Sequence, residues 1–271
     1  MTLGKKWSAP FIVMIIAGTV IPICSIAYYG FTSRSGGFTF DNVLAMFQPE
    51  HLEALGLSLL LSLVSTVLCL ILAFPMAMIL RESKYGKQGF LVFVFILPMW
   101  MNFLLRTMAW QVLLERNGVI NAVLQAVGLP KQQLMNTPGA IILGMIYDFL
   151  PFMILPIYNV VSKIDNHVIE AAYDLGANKS YVYRKVIIPL SVPGIVSGIT
   201  MVFIPALTTF VISNMLGGGK INLIGNIIEQ EFTANSNWYL GSGLSLVMMI
   251  FIIISMVLLE KFDKTGESSF I

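Results

Sequence analysis

Charged residues are scarce in this sequence. Only 11% of its 271 residues are Asp, Glu, Lys or Arg, whereas a typical soluble domain carries about 25%. Because 57% of the residues are apolar, so few charges cannot cover the surface of a soluble globule. The composition therefore excludes an ordinary soluble enzyme, a disordered chain and a nucleic-acid-binding protein.

Cysteine and histidine are scarce as well, with two residues of each. Cys24 and Cys69 stand inside apolar runs, which disfavours a disulfide or a metal site and predicts small buried hydrophobic residues. His51 and His167 fall in predicted loops, with no second metal ligand or nucleophile motif nearby. The segment Gly217–Lys220 lacks the spacing of a phosphate-binding loop. We therefore expect no catalytic residue, no metal and no cofactor bound by this chain.

Long apolar runs are abundant. A helix needs roughly 20 apolar residues to cross a bilayer, and the strands of a β-barrel would alternate apolar and polar residues instead. The runs predict an all-α polytopic membrane protein, a single domain over residues 1–271 with six transmembrane helices. The predicted spans are about 9–29, 57–80, 90–114, 140–161, 190–215 and 241–259. A signal peptide is the alternative for the first run, but that run is long and no A-x-A cleavage site follows it.

The distribution of lysine and arginine predicts how these spans are oriented. Eleven of the 16 basic residues fall before the first span, after the last span, or in the loops after the second and fourth spans. Four fall in the remaining loops, and Arg106 lies within the third span. Because basic residues are enriched in cytoplasmic segments, both termini are expected in the cytoplasm.

The loop between the fourth and fifth spans, residues 163–189, has the pattern of a helical hairpin. Its first arm carries an apolar stripe at helical spacing, made of Val168, Ala171, Ala172 and Leu175. Asp165 or Asn166 is a candidate N-cap, and Gly176 is a candidate stop. A second, basic arm follows, and Pro189 is expected to end it.

Two interpretations of this hairpin are open. It can anchor in lipid headgroups as an amphipathic element, or it can dock on another protein. The polar face of its first arm is acidic, with Glu170 and Asp174, and anionic lipid would repel that face. Ala171 and Ala172 add little to membrane insertion but allow a second protein to approach closely. Both features favour a protein partner.

The hairpin also carries a motif. Glu170-Ala171-Ala172 is followed after three residues by Gly176, and after nine more by Val186, Ile188 and Pro189. This arrangement resembles the EAA signature of ABC importer permeases, which reads E-A-A, three residues, G, nine residues, I-x-L-P. Val186 and Ile188 stand where that signature usually has Ile and Leu, and both exchanges keep an apolar side chain.

The resemblance implies a fold, a location and a set of partners. The fold would be the type I ABC importer transmembrane domain (MetI-like), with its core over about 57–259, in a bacterial cytoplasmic membrane. The hairpin would couple the chain to a cytoplasmic ATPase dimer, which uses the ATP and Mg, through Glu170, Ala171, Ala172, Asp174, Gly176, Val186, Ile188 and Pro189. A second homologous permease subunit and an extracytoplasmic substrate-binding protein would complete the importer.

Three further segments suggest the substrate. Leu150–Met153, Ile188–Leu190 with Pro193 and Gly194, and Gly217–Lys220 with Leu223–Asn226 are similar to permeases of spermidine/putrescine importers, and more to the B-type subunit than to the C-type subunit. This similarity implies a polyamine substrate. A permease for another solute, such as sulfate, molybdate, iron or phosphonate, is the alternative within this class. A secondary transporter that works alone is the alternative from another class.

Three residues in the predicted spans are candidates for the substrate pathway. Asp148 is the only carboxylate deep in a span, where it would either contact a cationic substrate or pair with Arg106. Trp100 follows Pro98 and is the best candidate for a cation–π contact, and Tyr147 offers a second aromatic face.

Overall fold

The computed structural model describes residues 13–83, 94–95 and 97–268, and within them it contains helices and no β-strand. The all-α class predicted from the sequence is confirmed. The principal helices are α1 (Val13–Gly30), α2 (Pro49–Glu82), α3 (Phe103–Leu114), α4 (Val119–Ala126), α5 (Pro138–Val161), α6 (Asn166–Asp174), α7 (Lys179–Leu190), α8 (Val192–Thr208), α9 (Val211–Leu216), α10 (Ile224–Thr233) and α11 (Trp238–Ser268).

Four of the predicted spans are single helices that are long and apolar enough to cross a membrane. These are α1, α2, α5 and the part of α11 from Trp238 to Lys261. α2 begins earlier than its apolar run does, at Pro49, and proline is well tolerated in the first turn of a helix. Hydropathy therefore located these spans but missed the polar first turns of α2.

The fifth predicted span, 190–215, is not one straight helix. α7 and α8 meet at Ser191 with a bend of 65°. The Ser191 hydroxyl donates to the carbonyl oxygen of Ile187 at 2.6 Å, which ties the bend residue to the last turn of α7. Pro193 lies in the first turn of α8, where a missing N–H leaves no helical bond unmade. Within 190–215, α8 ends at Thr208, Thr209 is extended and α9 begins at Val211, so the prediction of one continuous helix was wrong.

The third predicted span, 90–114, is also interrupted, although residues 90–93 and 96 lie outside the described residues. A 3₁₀ turn over Leu97–Trp100 ends before Asn102, and α3 starts after it. The Asn102 side chain accepts hydrogen bonds from the backbone N–H of Leu104 at 2.8 Å and of Leu105 at 3.4 Å. One asparagine thus starts a new helix inside an apolar run, because it satisfies N–H groups that lack a helical partner.

The chain divides into two compact units. The larger unit, residues 56–223 with 254–271, has its core around α5, whose buried residues include Ile141, Met145, Met153 and Ile154. In the smaller unit, residues 1–55 with 224–253, Tyr29 packs edge-on against Tyr239 with ring centroids 5.5 Å apart.

Two glycines bring α8 into close contact with α5. A Cβ on Gly194 would lie 2.8 Å from the carbonyl oxygen of Pro156, and a Cβ on Gly198 would lie 2.7 Å from the Met153 sulfur. Gly194 and Gly198 are separated by three residues, the spacing that lets membrane helices approach backbone to backbone. The two helices therefore pack at a short distance that a larger side chain at either glycine would prevent.

Three expectations about individual residues were wrong. His51 is buried in the first turn of α2, with its Nδ1 2.6 Å from the carbonyl oxygen of Ala45. His167 lies in α6 rather than in a loop. Cys24 is exposed, because few side chains of α1 are buried within the described structure, whereas Cys69 is buried as expected.

Candidate functional site

The predicted hairpin is present, and its first arm is α6. Asp165 caps this helix, with its carboxylate accepting from the backbone N–H of His167 at 2.9 Å. Of the two candidate N-caps, Asp165 and Asn166, Asp165 is therefore the cap of α6. A carboxylate at this end also interacts favourably with the helix dipole.

Gly176 ends the first arm in a left-handed conformation, with φ of +82°. Its N–H donates to the Tyr173 carbonyl at 2.8 Å, and the N–H of Ala177 donates to the Ala172 carbonyl at 3.1 Å. This pair of bonds is the Schellman arrangement, which favours glycine because a Cβ is unfavourable at positive φ. A Cβ on Gly176 would have no atom within 4 Å, so backbone conformation alone makes glycine necessary.

The second arm is α7. The Asn178 side chain caps it by accepting from the N–H of Tyr181 at 2.9 Å. The arm contains a π-helical turn over Tyr183–Ile187 and continues through Pro189 to Leu190. Pro189 was expected to end the arm, but the chain turns only at Ser191. The π-helical turn that precedes Pro189 already departs from the i−4 hydrogen-bond pattern that a proline interrupts.

The apolar stripe of the first arm divides into two faces. Val168, Ala171 and Leu175 point outward, and Leu175 is 89% exposed. Ala172 is half-buried and packs, with Ile169, against the core of the larger unit. Only one of the two motif alanines therefore lies on the free surface.

The outward face also carries the acidic residues. Glu170 and Asp174 are exposed, and Glu170 lies 3.4 Å from the Nδ1 of His167. On the second arm, Val186 and Pro189 are half-buried and Ile188 is 39% exposed. The eight predicted residues thus share one hairpin, whose outer face combines apolar and acidic groups.

A residue that the sequence did not single out holds this hairpin. Arg81, near the end of α2, donates from Nη2 to the Ile164 carbonyl at 3.0 Å and to the Asn166 side-chain oxygen at 2.8 Å. Its neighbour Glu82 accepts from the Tyr183 hydroxyl at 3.5 Å. In the sequence Arg81 contributes only to the charge bias, and no local pattern indicates bonds to residues so distant along the chain.

Asp148 and Arg106, the candidate pair in the spans, are in contact. The Asp148 Oδ1 lies 3.3 Å from the Arg106 Nε, and the two side chains are 1% and 6% exposed. The Thr107 hydroxyl donates to the other carboxylate oxygen at 3.2 Å. In this conformation the carboxylate is therefore enclosed and already has a cationic partner.

The two aromatic candidates are more accessible. Trp100, at the end of the 3₁₀ turn, is 76% exposed, and Tyr147 is 38% exposed. The Tyr147 ring packs edge-on against Trp110 with centroids 5.4 Å apart. An edge-on neighbour leaves a ring face available, which is what a cation–π contact requires.

Known proteins resemble this chain in sequence along most of its length. A family model described as "binding-protein-dependent transport system inner membrane component" matches residues 56–265, which include the whole hairpin. The spermidine/putrescine transport system permease protein PotB of Haemophilus influenzae is 35% identical over 239 residues, covering 85% of this chain and 84% of that protein. PotB of Escherichia coli is 37% identical over 215 residues, covering 79% and 78%.

Solved structures show the same fold. A chain of a bacterial ABC transporter involved in the import of the acidic polysaccharide alginate matches with a TM-score of 0.80 at 16% identity, covering 98% of this chain and 95% of that chain. A chain of the MetNI methionine ABC transporter matches with a TM-score of 0.54 at 18% identity, covering 80% and 94%. At these identities the likeness concerns architecture and not the substrate.

Proposed function

The chain belongs to the binding-protein-dependent transport system inner membrane component family, and on this basis we propose that it is the permease of an ATP-driven importer for polyamines. Membership makes it a multi-pass membrane protein whose activity is transport. The polyamine assignment depends on one observation. Two PotB proteins are 35–37% identical to it over about four-fifths of each chain.

The chain forms half of the translocation pathway in this proposal. A second, homologous permease forms the other half, an ATPase dimer that uses ATP and Mg docks on the hairpin, and an extracytoplasmic binding protein delivers the substrate. A neighbouring solved structure is described as an alginate ABC transporter in complex with an alginate pentasaccharide-bound periplasmic protein, which supports this kind of assembly. The outward side of α6 supports a partner on the hairpin, because the apolar residues Val168, Ala171 and Leu175 are exposed there together, and covering apolar surface is stabilising.

The proposed mechanism is alternating access. Closure of the ATPase dimer moves the hairpin, and α7 transmits that movement to α8 through the bend at Ser191. Since α8 packs on α5 at Gly194 and Gly198, the movement reaches α5, which carries the candidate pathway residues Tyr147 and Asp148. ATP hydrolysis then resets the inward-facing state.

Along the substrate path, protein groups must replace part of the water that hydrates the ammonium groups of a polyamine. Trp100 and Tyr147 offer aromatic faces, each worth about 0.5–2 kcal/mol for a cation. Asp148 remains a candidate contact, but it becomes available only if Arg106 releases it during the cycle. Its present partner makes a structural role the better-supported one.

Uptake measurements in a deletion strain test this proposal. We expect a host lacking this gene to lose most of its ATP-dependent uptake of labelled spermidine and putrescine, and to regain it from a plasmid copy. Normal polyamine uptake together with lost uptake of sulfate, molybdate, iron or phosphonate would assign another solute. Uptake that persists without ATP but stops when the proton gradient is collapsed would indicate a secondary transporter.

The orientation has its own test. Reporter fusions after Lys179 and Lys264 are expected to report the cytoplasm, and fusions near Glu50, Lys131 and Glu229 the outside. The bias of basic residues, eleven against four, supports this orientation. An external signal at Lys179 would refute ATPase docking on the hairpin.

A further inference from the structure

The end of α2 contacts both arms of the hairpin. Arg81 bonds to Ile164 and Asn166, which flank the N-cap of α6, and Glu82 accepts a bond from Tyr183 in α7. The two Arg81 bonds, at 3.0 and 2.8 Å, are the shorter ones. All three bonds involve a charged side chain and are therefore stronger than neutral ones, but Arg81 makes two of them and makes them at shorter distances, so Arg81 provides most of this attachment.

Two basic residues of the hairpin itself do not behave in this way. Lys163 and Arg184 are exposed, and their side chains form no hydrogen bond or ion pair with the described part of the chain. Arg81 is half-buried and directs both of its bonds to the start of α6. A basic residue whose only role was to orient the spans in the membrane would need no such hydrogen-bond partners.

We propose that Arg81 is a positioning residue that fastens the start of α6 to α2, so that movement of the hairpin displaces α2 together with α8. This inference rests on the proposed function. The hairpin has a covalent route to α8 through α7, whereas its hydrogen-bonded route to α2 depends mainly on Arg81. When that route is lost, the ATPase still docks and hydrolyses ATP, but less substrate crosses for each ATP used.

Arg81→Gln in the complete reconstituted importer tests the proposal. We expect spermidine imported per ATP hydrolysed to fall about tenfold, as the loss of a charge-assisted hydrogen bond suggests, while the ATPase still co-purifies. Arg81→Lys keeps the charge and is expected to retain an intermediate ratio. Arg184→Gln removes the same charge from the same predicted side of the membrane and is expected to keep the wild-type ratio.

Asn166→Ala removes one acceptor while leaving every charge and the Asp165 cap in place. It is expected to lower the ratio in part, and combining it with Arg81→Gln is expected to add nothing, because the two residues act through one contact. If Arg81→Gln does not fold, Asn166→Ala alone decides. A ratio in Arg81→Gln equal to that in Arg184→Gln, or an unchanged ratio in Asn166→Ala, would overturn the proposal.

Hydrogen exchange in the purified chain separates this inference from the proposed function. Backbone amides over 163–178 are expected to exchange faster in Arg81→Gln and at the wild-type rate in Arg184→Gln. If the wild-type complex imports no polyamine, the proposed function fails, while faster exchange would still show that Arg81 holds the hairpin. Unchanged exchange with normal polyamine import would refute the attachment alone.

Discussion

The Nε of Arg106 in α3 lies 3.3 Å from the Oδ1 of Asp148 in α5, and both side chains are more than nine-tenths buried. The contact therefore joins two helices inside the larger unit. Removing one member of a buried pair leaves the other charge without compensation, which costs more than the pair itself contributes. The same contact determines what the carboxylate can do in transport.

Single substitutions of this pair are expected to destabilise the protein. Asp148→Asn and Arg106→Gln should each cost about 3–5 kcal/mol, and the double variant should recover most of that loss because no charge remains stranded. Thermal unfolding in detergent, followed by intrinsic fluorescence, measures the difference. If Asp148→Asn unfolds like the wild type but imports polyamine slowly, and the double variant is equally slow, then Asp148 contacts the substrate.

The two motif alanines are expected to respond differently to enlargement. Ala171→Trp should abolish co-purification of the ATPase while leaving thermal stability unchanged, because Ala171 faces outward. Ala172→Trp should lower the melting temperature, because Ala172 packs against the core and overpacking costs about 1–3 kcal/mol. ATPase that still binds the Ala171→Trp variant would refute docking on the outer face.

Gly176 should be sensitive to any side chain. Gly176→Ala is expected to cost about 1–2 kcal/mol from its positive φ and to weaken substrate-stimulated ATP hydrolysis, and Gly176→Pro should abolish the stimulation. Gly128 is the matched control, since it ends α4 with φ of +81° and free space around a Cβ. Gly128→Ala should lose similar stability yet keep the stimulation. Equal effects on ATP hydrolysis at both positions would contradict a specific role for Gly176.

The contact between α5 and α8 predicts a ranking. Gly194→Ala should destabilise more than Gly198→Ala, because its Cβ meets a carbonyl oxygen, whereas the Cβ at 198 first meets the flexible end of Met153. Gly56→Ala, in α2 with no atom within 4 Å of a Cβ, should be neutral or stabilise by about 0.5–1 kcal/mol. Thermal unfolding of the three variants checks the order, and a stable Gly194→Ala would mean that the helices separate easily.

Trp100 should matter for transport and not for folding. Trp100→Ala is expected to slow polyamine uptake about 5- to 30-fold, the rate equivalent of about 1–2 kcal/mol for one aromatic face, with normal expression and normal ATPase binding. Trp100→Phe should retain part of the rate. Tyr147→Leu should act in the same direction as Trp100→Ala. Uptake at the wild-type rate in Trp100→Ala would remove this residue from the pathway.

Local chemistry explains what the sequence predicted well. The cap at Asp165, the stop at Gly176 and the spacing from Glu170 to Pro189 each depend on residues close together in the chain, and the hairpin formed where that spacing placed it. The long spans followed from hydropathy, because a run of roughly 20 apolar residues has few other stable arrangements.

Features that depend on distant contacts were not predictable in this way. The bonds of Arg81 join residues 83 and 85 positions apart. Ala172 faces inward because the core of the larger unit packs against it, which a local pattern does not show. A single polar side chain at Asn102 outweighed the hydropathy of a whole run. The close approach at Gly194 and Gly198 did leave a signal in their spacing, which hydropathy does not register.

The 65° bend at Ser191 also determines the direction of any force that enters through the hairpin. A push along the axis of α7 divides into a component along α8 and a component across it, in the ratio of the cosine to the sine of that angle. Because the cosine of 65° is below one half, most of the push acts crosswise. Such a push would therefore displace α8 sideways more than along its own axis.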